Sequence, residues 1–160
     1  MPWFRGIRRT KMLRERIGFA WKILPSWMRL RIIRLTQQKF TVSVAAIVTE
    51  DSGKVLLLRH VLRPFSEWGL PGGFLSANEQ PEDGVRRELR EETCLELTDL
   101  KLFRIRTVRR HVEMLFSAHA VGEARVASSE IFELGWFDLD SMPANMSRAQ
   151  KTLISEVLTR

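Results

Sequence analysis

The stretch from Trp68 to Leu95 constrains this chain more than any other, because its glycines, proline and acids follow an order that few structures permit. It predicts a strand, a turn at Gly72-Gly73, a loop and then a helix. Pro81 suits the first turn of that helix, where its missing N–H is not needed. Two acids follow the proline, where the helix dipole favours negative charge.

The second half of this predicted helix carries three glutamates, Glu88, Glu91 and Glu92, at positions i, i+3 and i+4. We expect this spacing to place all three on one helix face. Val85 and Leu89 lie one turn apart, and we expect them on the opposite face, docked on a sheet. The pattern therefore predicts a cluster of carboxylates above an apolar contact.

Crowded carboxylates repel one another, and the arginines of the same helix relieve only part of that repulsion. A divalent cation is the natural neutraliser, and ligands that are all oxygen favour Mg²⁺ or Mn²⁺ over Zn²⁺. Gly84 is a poor helix former, so we interpret it as a point of close packing.

This run resembles the Nudix box, G-x5-E-x7-R-E-U-x-E-E-x-G-U, in which U is an aliphatic residue. Cys94 stands where the family has a glycine that lets the chain leave the helix in a left-handed conformation. Cysteine in that conformation costs about 1 kcal/mol. Every other slot matches, and the matching residues are Gly73, Glu79, Arg87, Glu88, Leu89, Glu91, Glu92 and Leu95.

The resemblance implies an α/β fold of the Nudix type, an α/β/α sandwich around a mixed β-sheet, from about Phe40 to the C-terminus. It also implies Mg²⁺- or Mn²⁺-dependent hydrolysis of a nucleoside diphosphate linked to another moiety. The substrate class stays open among nucleotide sugars, ADP-ribose, dinucleoside polyphosphates, oxidised nucleoside triphosphates and coenzymes.

The resemblance also implies roles for the residues of the box. Glu88, Glu91 and Glu92 are expected to bind the metal, together with the backbone carbonyl of Gly72. Arg87 is expected to orient these glutamates by ion pairing, because Glu91 lies four residues further along the helix. Two other positions are expected to be structural: Gly73, and Glu79, which either anchors the loop to the helix or reaches an outer metal.

The general base has three candidates. In this family the base is either a box glutamate, here Glu88, or an acid on a later loop, here Glu130 or Glu133. Each of the last two has an alternative interpretation as a surface charge on an edge strand.

Substrate contacts are expected before the box, from Arg59, Arg63, Phe65 and Trp68. The arginines are also interpretable as surface charge, and Trp68, like Trp136, as a core residue rather than a ring that stacks on a base. His60 has no second histidine or cysteine at ligand spacing, so we do not predict it to bind metal.

Charge divides the chain at Phe40. Residues 1–39 contain 11 Lys/Arg and one acid, Glu15, a balance of +10. The remainder has 15 basic and 18 acidic residues, a balance of −3. We therefore predict a basic helical extension over 1–39 and a Nudix domain over 40–160.

Four interpretations of the extension stay open. It packs on the body or on a second subunit, as in a homodimer; it lies on an anionic membrane face; it binds nucleic acid; or it is a targeting presequence. The helical spacing of Leu13, Ile17 and Trp21 predicts one helix that ends at Pro25, and Ser26 is expected to cap a second helix.

Other composition features exclude several classes of protein. No apolar run is long enough for a membrane span, and a single cysteine excludes an intramolecular disulfide. We expect a cytoplasmic protein, with peripheral membrane association through the extension as an alternative. Hydrophobic patterning predicts strands over 40–49, 54–60, 100–108, 111–121 and 129–138, and a closing helix over 147–158.

Two functions compete with hydrolysis of a small nucleotide. One is a non-catalytic Nudix-fold sensor that binds a nucleotide sugar, although an intact box argues against it. The other is hydrolysis at RNA 5′ ends, assisted by the basic extension.

Overall fold

The computed structural model describes residues 3–62 and 67–159. Two compact units divide the chain, Met1–Lys39 and Phe40–Arg160. The first unit contains helix α1, Trp3–Ile23, and helix α2, Ser26–Thr36. No helix in the described ranges is both long and apolar enough to cross a bilayer.

The expected cap of α2 is wrong. Pro25 occupies the N-cap position, and no side chain caps the helix there. Ser26 is already the first helical residue, so its hydroxyl lies one position too late for the N-cap hydrogen bond to the first turn.

The second unit alternates strands and helices in the predicted order. A short 3₁₀ helix at Leu139–Ser141, which the sequence did not predict, precedes the last helix. The remaining elements are β1 Thr41–Thr49, β2 Val55–His60, β3 Trp68–Gly69, β4 Gly72–Phe74, α3 Pro81–Thr93, β5 Glu96–Val108, β6 His111–Val121, β7 Ile131–Phe137 and α4 Arg148–Leu158.

The strands form one mixed sheet. Its main path is β3-β2-β1-β6-β5, while β4 pairs with β1 and β7 pairs with β2. β1 and β6 are parallel, from Thr41 opposite His111 to Thr49 opposite His119. β1 and β2 pair at Thr49 and Val55, next to the predicted turn, and then separate to bind other strands. The predicted hairpin is therefore confined to its turn end.

Strand β1 is buried on both faces, which explains its almost continuous apolar sequence. One face packs in a core with Val85 and Leu89 of α3. The other face packs in a second core with Leu153 and Ile154 of α4. The sheet thus lies between two helices, and the predicted α/β/α sandwich around a mixed sheet is confirmed.

Five of the six elements with predicted bounds differ from the predictions, and β1 and β2 do so only by starting one residue later. β5 begins at Glu96 rather than at residue 100, because residues 96–98 pair with the end of β6 across an irregularity at Asp99, whose φ is 51°. β7 covers Ile131–Phe137 only, since Ser129 and Glu130 belong to the preceding turn. Helix α4 begins at Arg148, and the hydroxyl of Ser147 caps it by accepting from the Gln150 N–H.

Helix α3 ends as the box predicts. Cys94 adopts the left-handed conformation, with φ of 60°, and its N–H donates to the carbonyl of Arg90. The turn that glycine normally makes is therefore kept with cysteine, at a cost of about 1 kcal/mol in backbone strain.

Candidate active site

The site is built where α3 crosses the Gly-rich turn. Pro81 is the first residue of α3, and Val85 and Leu89 are buried against the sheet. Gly84 permits the close packing that we expected, since a Cβ there would lie 2.4 Å from the side chain of Leu75. These contacts hold the second half of the helix, and its carboxylates, against β4.

The spacing predicted that the three glutamates lie on the face of α3 opposite Val85 and Leu89, and the structure corrects this opposition. Glu92 is only 6% exposed and is buried beside Val85 and Leu89. At about 100° per residue, position 92 falls on the same side of the helix as position 85, two turns earlier. Glu88 lies at the edge of that face, and Glu91 points outward with a side chain that is 60% exposed.

Gly72 binds the buried glutamate. Its backbone N–H donates to Oε2 of Glu92 over 3.0 Å. Gly72 has a φ of +142° and pairs with Ala45 of β1, so a Cβ there would lie 2.2 Å from the backbone oxygen of Val44. Only glycine allows this approach of β4 to β1.

Gly73 packs directly against a second glutamate. A Cβ at Gly73 would lie 2.5 Å from Cδ of Glu88, so the absence of a side chain makes room for the carboxylate. The two glycines thus have separate roles, one toward Glu92 and the sheet, the other toward Glu88.

Arg87 is the centre of an ion-pair network. Its guanidinium donates to Glu79 over 2.7 and 3.0 Å, to Glu88 over 2.9 Å and to Glu91 over 3.2 Å. A further hydrogen bond reaches the carbonyl of Phe74. This network agrees with the predicted role of Arg87 in orienting the glutamates.

Glu79 joins the loop to the helix. It accepts two bonds from Arg87 and one from the N–H of Ser76, and these hydrogen bonds lower the pKa of Glu79 from 4.5 to about 2. The same carboxylate raises the pKa of Arg87, so both groups stay charged. These contacts favour the anchoring role over contact with an outer metal.

A cavity of about 510 Å³ opens over this network. Four carboxylates and one guanidinium lie in its wall. The cavity is therefore suited to bind cations, and an anion could bind there through such cations. The lining residues are His60, Leu62, Gly72, Gly73, Phe74, Ser76, Arg87, Glu88, Glu91, Glu92 and Glu130.

The donor set fits a hard divalent cation in chemistry. The carboxylates of Glu88, Glu91 and Glu92 and the carbonyl of Gly72 offer only oxygen. Within residues 3–62 and 67–159, no three His, Cys, Asp or Glu side chains converge in a metal-ligating geometry. Instead, Arg87 holds Glu88 and Glu91, so these carboxylates would have to turn from the guanidinium toward the ion.

The candidates for a general base are separated by the fold. Glu130 lies in the wall of the cavity with Glu88. Glu133 is outside that wall, and its carboxylate pairs with Arg59 over 3.6 Å. Glu130 belongs to the turn that precedes β7, whereas Glu133 lies within β7 and pairs opposite Arg59 of β2.

The predicted substrate contacts are placed less favourably. Arg59 binds Glu67 over 2.9 Å and lies over the ring of Phe132, away from the cavity wall. Trp68 packs edge-on against Phe137 in the second core. The predicted contacts Arg63 and Phe65 lie outside the described residues.

Trp136 packs against the first core and lines a different cavity, of about 880 Å³. It is thus placed by the core, as one of its two interpretations proposed. Its predicted stacking on a base has no support from the cavity that holds the carboxylates.

Sequence reasoning missed one prominent residue of the cavity wall. Phe74 follows the two glycines, is 64% exposed and meets the ring of His111 edge-on at 5.8 Å. Both ring nitrogens of His111 lie within hydrogen-bonding distance of hydroxyls, those of Thr41 and Ser43. The signal available in the sequence was the position of Phe74, an aromatic residue directly after the Gly72-Gly73 turn.

Comparison with known proteins agrees with this geometry. A family model described as NUDIX domain matches residues 39–157. A "MutT-like protein" of Streptomyces ambofaciens is 32% identical over 120 residues, which cover 74% of this chain and 77% of the relative. An "ADP-ribose pyrophosphatase" of Methanocaldococcus jannaschii is 33% identical, over 64% of this chain and 64% of that relative's length.

Solved structures show the same fold. The crystal structure of a MutT NUDIX hydrolase from Burkholderia pseudomallei superposes with a TM-score of 0.67 at 29% identity, covering 75% of this chain and 99% of the other. The match of the family model spans well over half of the chain and includes every residue of the carboxylate network. The chain therefore belongs to the Nudix hydrolase family.

Proposed function

We propose that this protein is a Mg²⁺- or Mn²⁺-dependent pyrophosphohydrolase that cleaves the diphosphate linkage of a nucleoside diphosphate joined to another moiety. The observation that carries the proposal is the cavity in which Glu88, Glu91 and Glu92 lie beside the Gly72-Gly73 turn. A diphosphate is highly charged, so an acidic wall binds it only through cations. The intact carboxylate set is what a hydrolase requires and a simple nucleotide sensor does not.

Glu92 and Glu88 are the proposed inner ligands. Glu92 is held by the Gly72 N–H and is therefore in place before any ion binds. Glu88 is confined by Gly73 and Arg87 and would turn from the guanidinium toward the ion. Glu91 is more exposed and completes the set from the outer side. When bound, divalent cations would neutralise the diphosphate and lower the pKa of a water molecule.

Arg87 has a positioning role in this proposal. It would release Glu88 and Glu91 to a bound cation, while its bonds to Glu79 keep the guanidinium in place. Glu79 thus joins the loop to α3, through its bonds to the Ser76 N–H and to Arg87, and so keeps the cavity between them open.

We assign Glu130 as the general base in preference to Glu133. Glu130 lies in the same cavity wall as the proposed ligands, whereas Glu133 is paired with Arg59 elsewhere. Glu88 is the other candidate, but its contacts with Arg87 and Gly73 suit a metal ligand better. In this role Glu130 takes a proton from the attacking water.

Phe74 offers a ring for the nucleoside. It lies in the cavity wall, is largely exposed and is supported by His111. Aromatic side chains stack on any base, so Phe74 would favour nucleotides over inorganic diphosphate without choosing among bases.

A substrate panel tests the proposal. The purified protein is incubated with Mg²⁺ or Mn²⁺ and with nucleotide sugars, ADP-ribose, dinucleoside polyphosphates, oxidised nucleoside triphosphates and coenzymes, and released monophosphate is measured. ADP-ribose is the first compound to test, because the Methanocaldococcus relative is named for it. Binding of a nucleotide without turnover under every metal condition would favour the sensor instead.

Variants of the carboxylates make the test specific. Glu92→Gln should lower kcat by roughly 10³-fold or more while the protein stays folded, because the amide oxygen of the new side chain still accepts from the Gly72 N–H but carries no charge. Glu130→Gln should lower kcat by about 10²- to 10⁴-fold. Glu133→Gln is the matched control and should be nearly neutral; equal effects of the Glu130 and Glu133 substitutions would overturn the choice of base.

Hydrolysis at RNA 5′ ends is the second candidate, and the basic extension is the feature of this chain that favours it. Turnover that rises with the length of a 5′-triphosphorylated RNA would favour it. Turnover that is independent of RNA length, or absent with RNA, would leave the small nucleotide as substrate.

A further inference from the structure

The extension over residues 1–39 has a charge that the proposed reaction does not use. It contains 11 Lys/Arg and the single acid Glu15, and three of the five tryptophans of the chain. A net charge of +10 over these 39 residues attracts an anionic surface. The carboxylate cavity belongs to the other unit, so this charge needs a separate explanation.

The same helices expose a large amount of apolar surface. Helix α2 has no buried residue. Ten large apolar side chains between residues 12 and 35 are 38% to 76% exposed: Met12, Leu13, Ile17, Phe19, Ile23, Trp27, Leu30, Ile32, Ile33 and Leu35. Proteins seldom expose so many neighbouring apolar side chains unless the surface binds something.

Basic and apolar residues are interleaved along both helices. In α2, Arg29, Arg31 and Arg34 lie among leucines and isoleucines, and in α1 the exposed pair Leu13 and Ile17 flanks Arg14 and Arg16. Long arginine stems can lie along an apolar surface while the guanidinium reaches a polar layer. This arrangement suits the boundary between lipid head groups and acyl chains.

We propose that α1 and α2 dock on the surface of a bilayer that contains anionic lipids. Charge complementarity favours the phosphate head groups, and the exposed aliphatic side chains favour the apolar layer beneath them. Nucleic acid would use the arginines but leaves Leu13, Ile17, Leu30 and Leu35 without a role. A second copy of the same extension also carries +10 and repels the first.

The expected strength follows from the charges. Each Lys or Arg near an anionic membrane surface contributes roughly fivefold in affinity at physiological salt. Arg31→Gln with Arg34→Gln should therefore weaken binding by about 30-fold. Because the Debye length falls to about 3 Å at 1 M salt, high salt should remove most of the affinity.

The apolar contribution is tested separately. Leu30 is 52% exposed, and burial of a leucine contributes about tenfold or more in affinity, so Leu30→Ser should weaken binding by roughly tenfold. Leu102→Ser on β5 is a matched control, because Leu102 is 51% exposed but lies in the other unit. The charge control is Arg109→Gln with Arg110→Gln in the turn between β5 and β6.

The experiment is flotation of the full-length protein with two kinds of vesicle. One contains phosphatidylcholine alone, and the other contains phosphatidylcholine with about 30% phosphatidylglycerol. The proposal expects flotation with the anionic vesicles only, loss of flotation in about 1 M salt, weaker binding by both α2 variants and unchanged binding by both controls. Circular dichroism shows that each variant is folded.

Several results would overturn the proposal. They are equal binding to both kinds of vesicle, control variants that weaken binding as much as the α2 variants, and binding of single-stranded RNA by a protein that does not float. A dimer in solution that is broken by Leu30→Ser, with no flotation, would assign the apolar surface to a second copy instead. None of these results depends on the hydrolase proposal.

Discussion

The substitution Gly73→Ala should impair catalysis while leaving the fold stable. A Cβ on Gly73 would lie 2.5 Å from Cδ and Oε1 of Glu88 and 2.6 Å from Oε2, whereas ordinary contacts begin near 3.4 Å. The carboxylate must therefore move by about 1 Å to admit the methyl group. Gly73 is not among the residues with positive φ, so alanine meets no backbone strain there.

The effect on stability should be small. Moving the end of one glutamate side chain off its preferred rotamer costs about 0.5–1.5 kcal/mol. Alanine also reduces the conformational entropy of the unfolded chain, which offsets about 0.4–1 kcal/mol of that cost. The free energy of unfolding should therefore change by less than about 1 kcal/mol.

The effect on turnover should be large. A displacement of about 1 Å in a catalytic group typically lowers the rate by about 100-fold. Because Glu88 is proposed as an inner metal ligand, Gly73→Ala should lower kcat by that factor and weaken the apparent affinity for Mg²⁺.

Gly72→Ala is the matched control. Its Cβ would lie 2.2 Å from the backbone oxygen of Val44, which cannot rotate away, and the φ of +142° is unfavourable for alanine. This variant should lose about 3 kcal/mol or more of unfolding free energy.

Urea unfolding and steady-state turnover, measured for both variants, check the pair. A Gly73→Ala enzyme with wild-type kcat and unchanged Mg²⁺ dependence would refute the role of Glu88. A Gly72→Ala protein as stable as the wild type would refute the packing of β4 on β1.

Three further predictions concern other parts of the chain. Cys94→Gly should raise the free energy of unfolding by about 0.5 kcal/mol, because removal of left-handed strain exceeds the added entropy of the unfolded chain; a lower melting temperature would contradict this. The wild type should have a larger free energy of unfolding than Glu79→Gln. This difference should be complete above pH 4.5 and disappear as pH falls to about 2, since the pKa of Glu79 is lowered in the folded state. A difference that is independent of pH in urea titrations would argue against the Arg87 pair. Deletion of residues 1–38 should leave kcat on a soluble nucleotide largely unchanged, whereas loss of the folded domain would show that the extension belongs to the core.

Local spacing made much of this protein predictable. The i, i+3, i+4 spacing of the glutamates, the proline at the helix start and the glycine turn are short-range features, so α3 could be inferred from one stretch of sequence. Strands β1, β2 and β6 were equally accessible, because their apolar runs are continuous or alternate. The order of strands and helices was then enough to predict the α/β/α sandwich.

Long-range pairing decided the rest. The sequence could not show that the Gly72 N–H binds Glu92, that Glu130 and not Glu133 enters the cavity, or that Arg59 pairs away from it. Each depends on which strands meet and in what register, and a shift of one residue where β2 meets β7 redirects the side chains that follow. The residue types of the site were thus determined by the chain itself, while their distances and partners were set by the sheet.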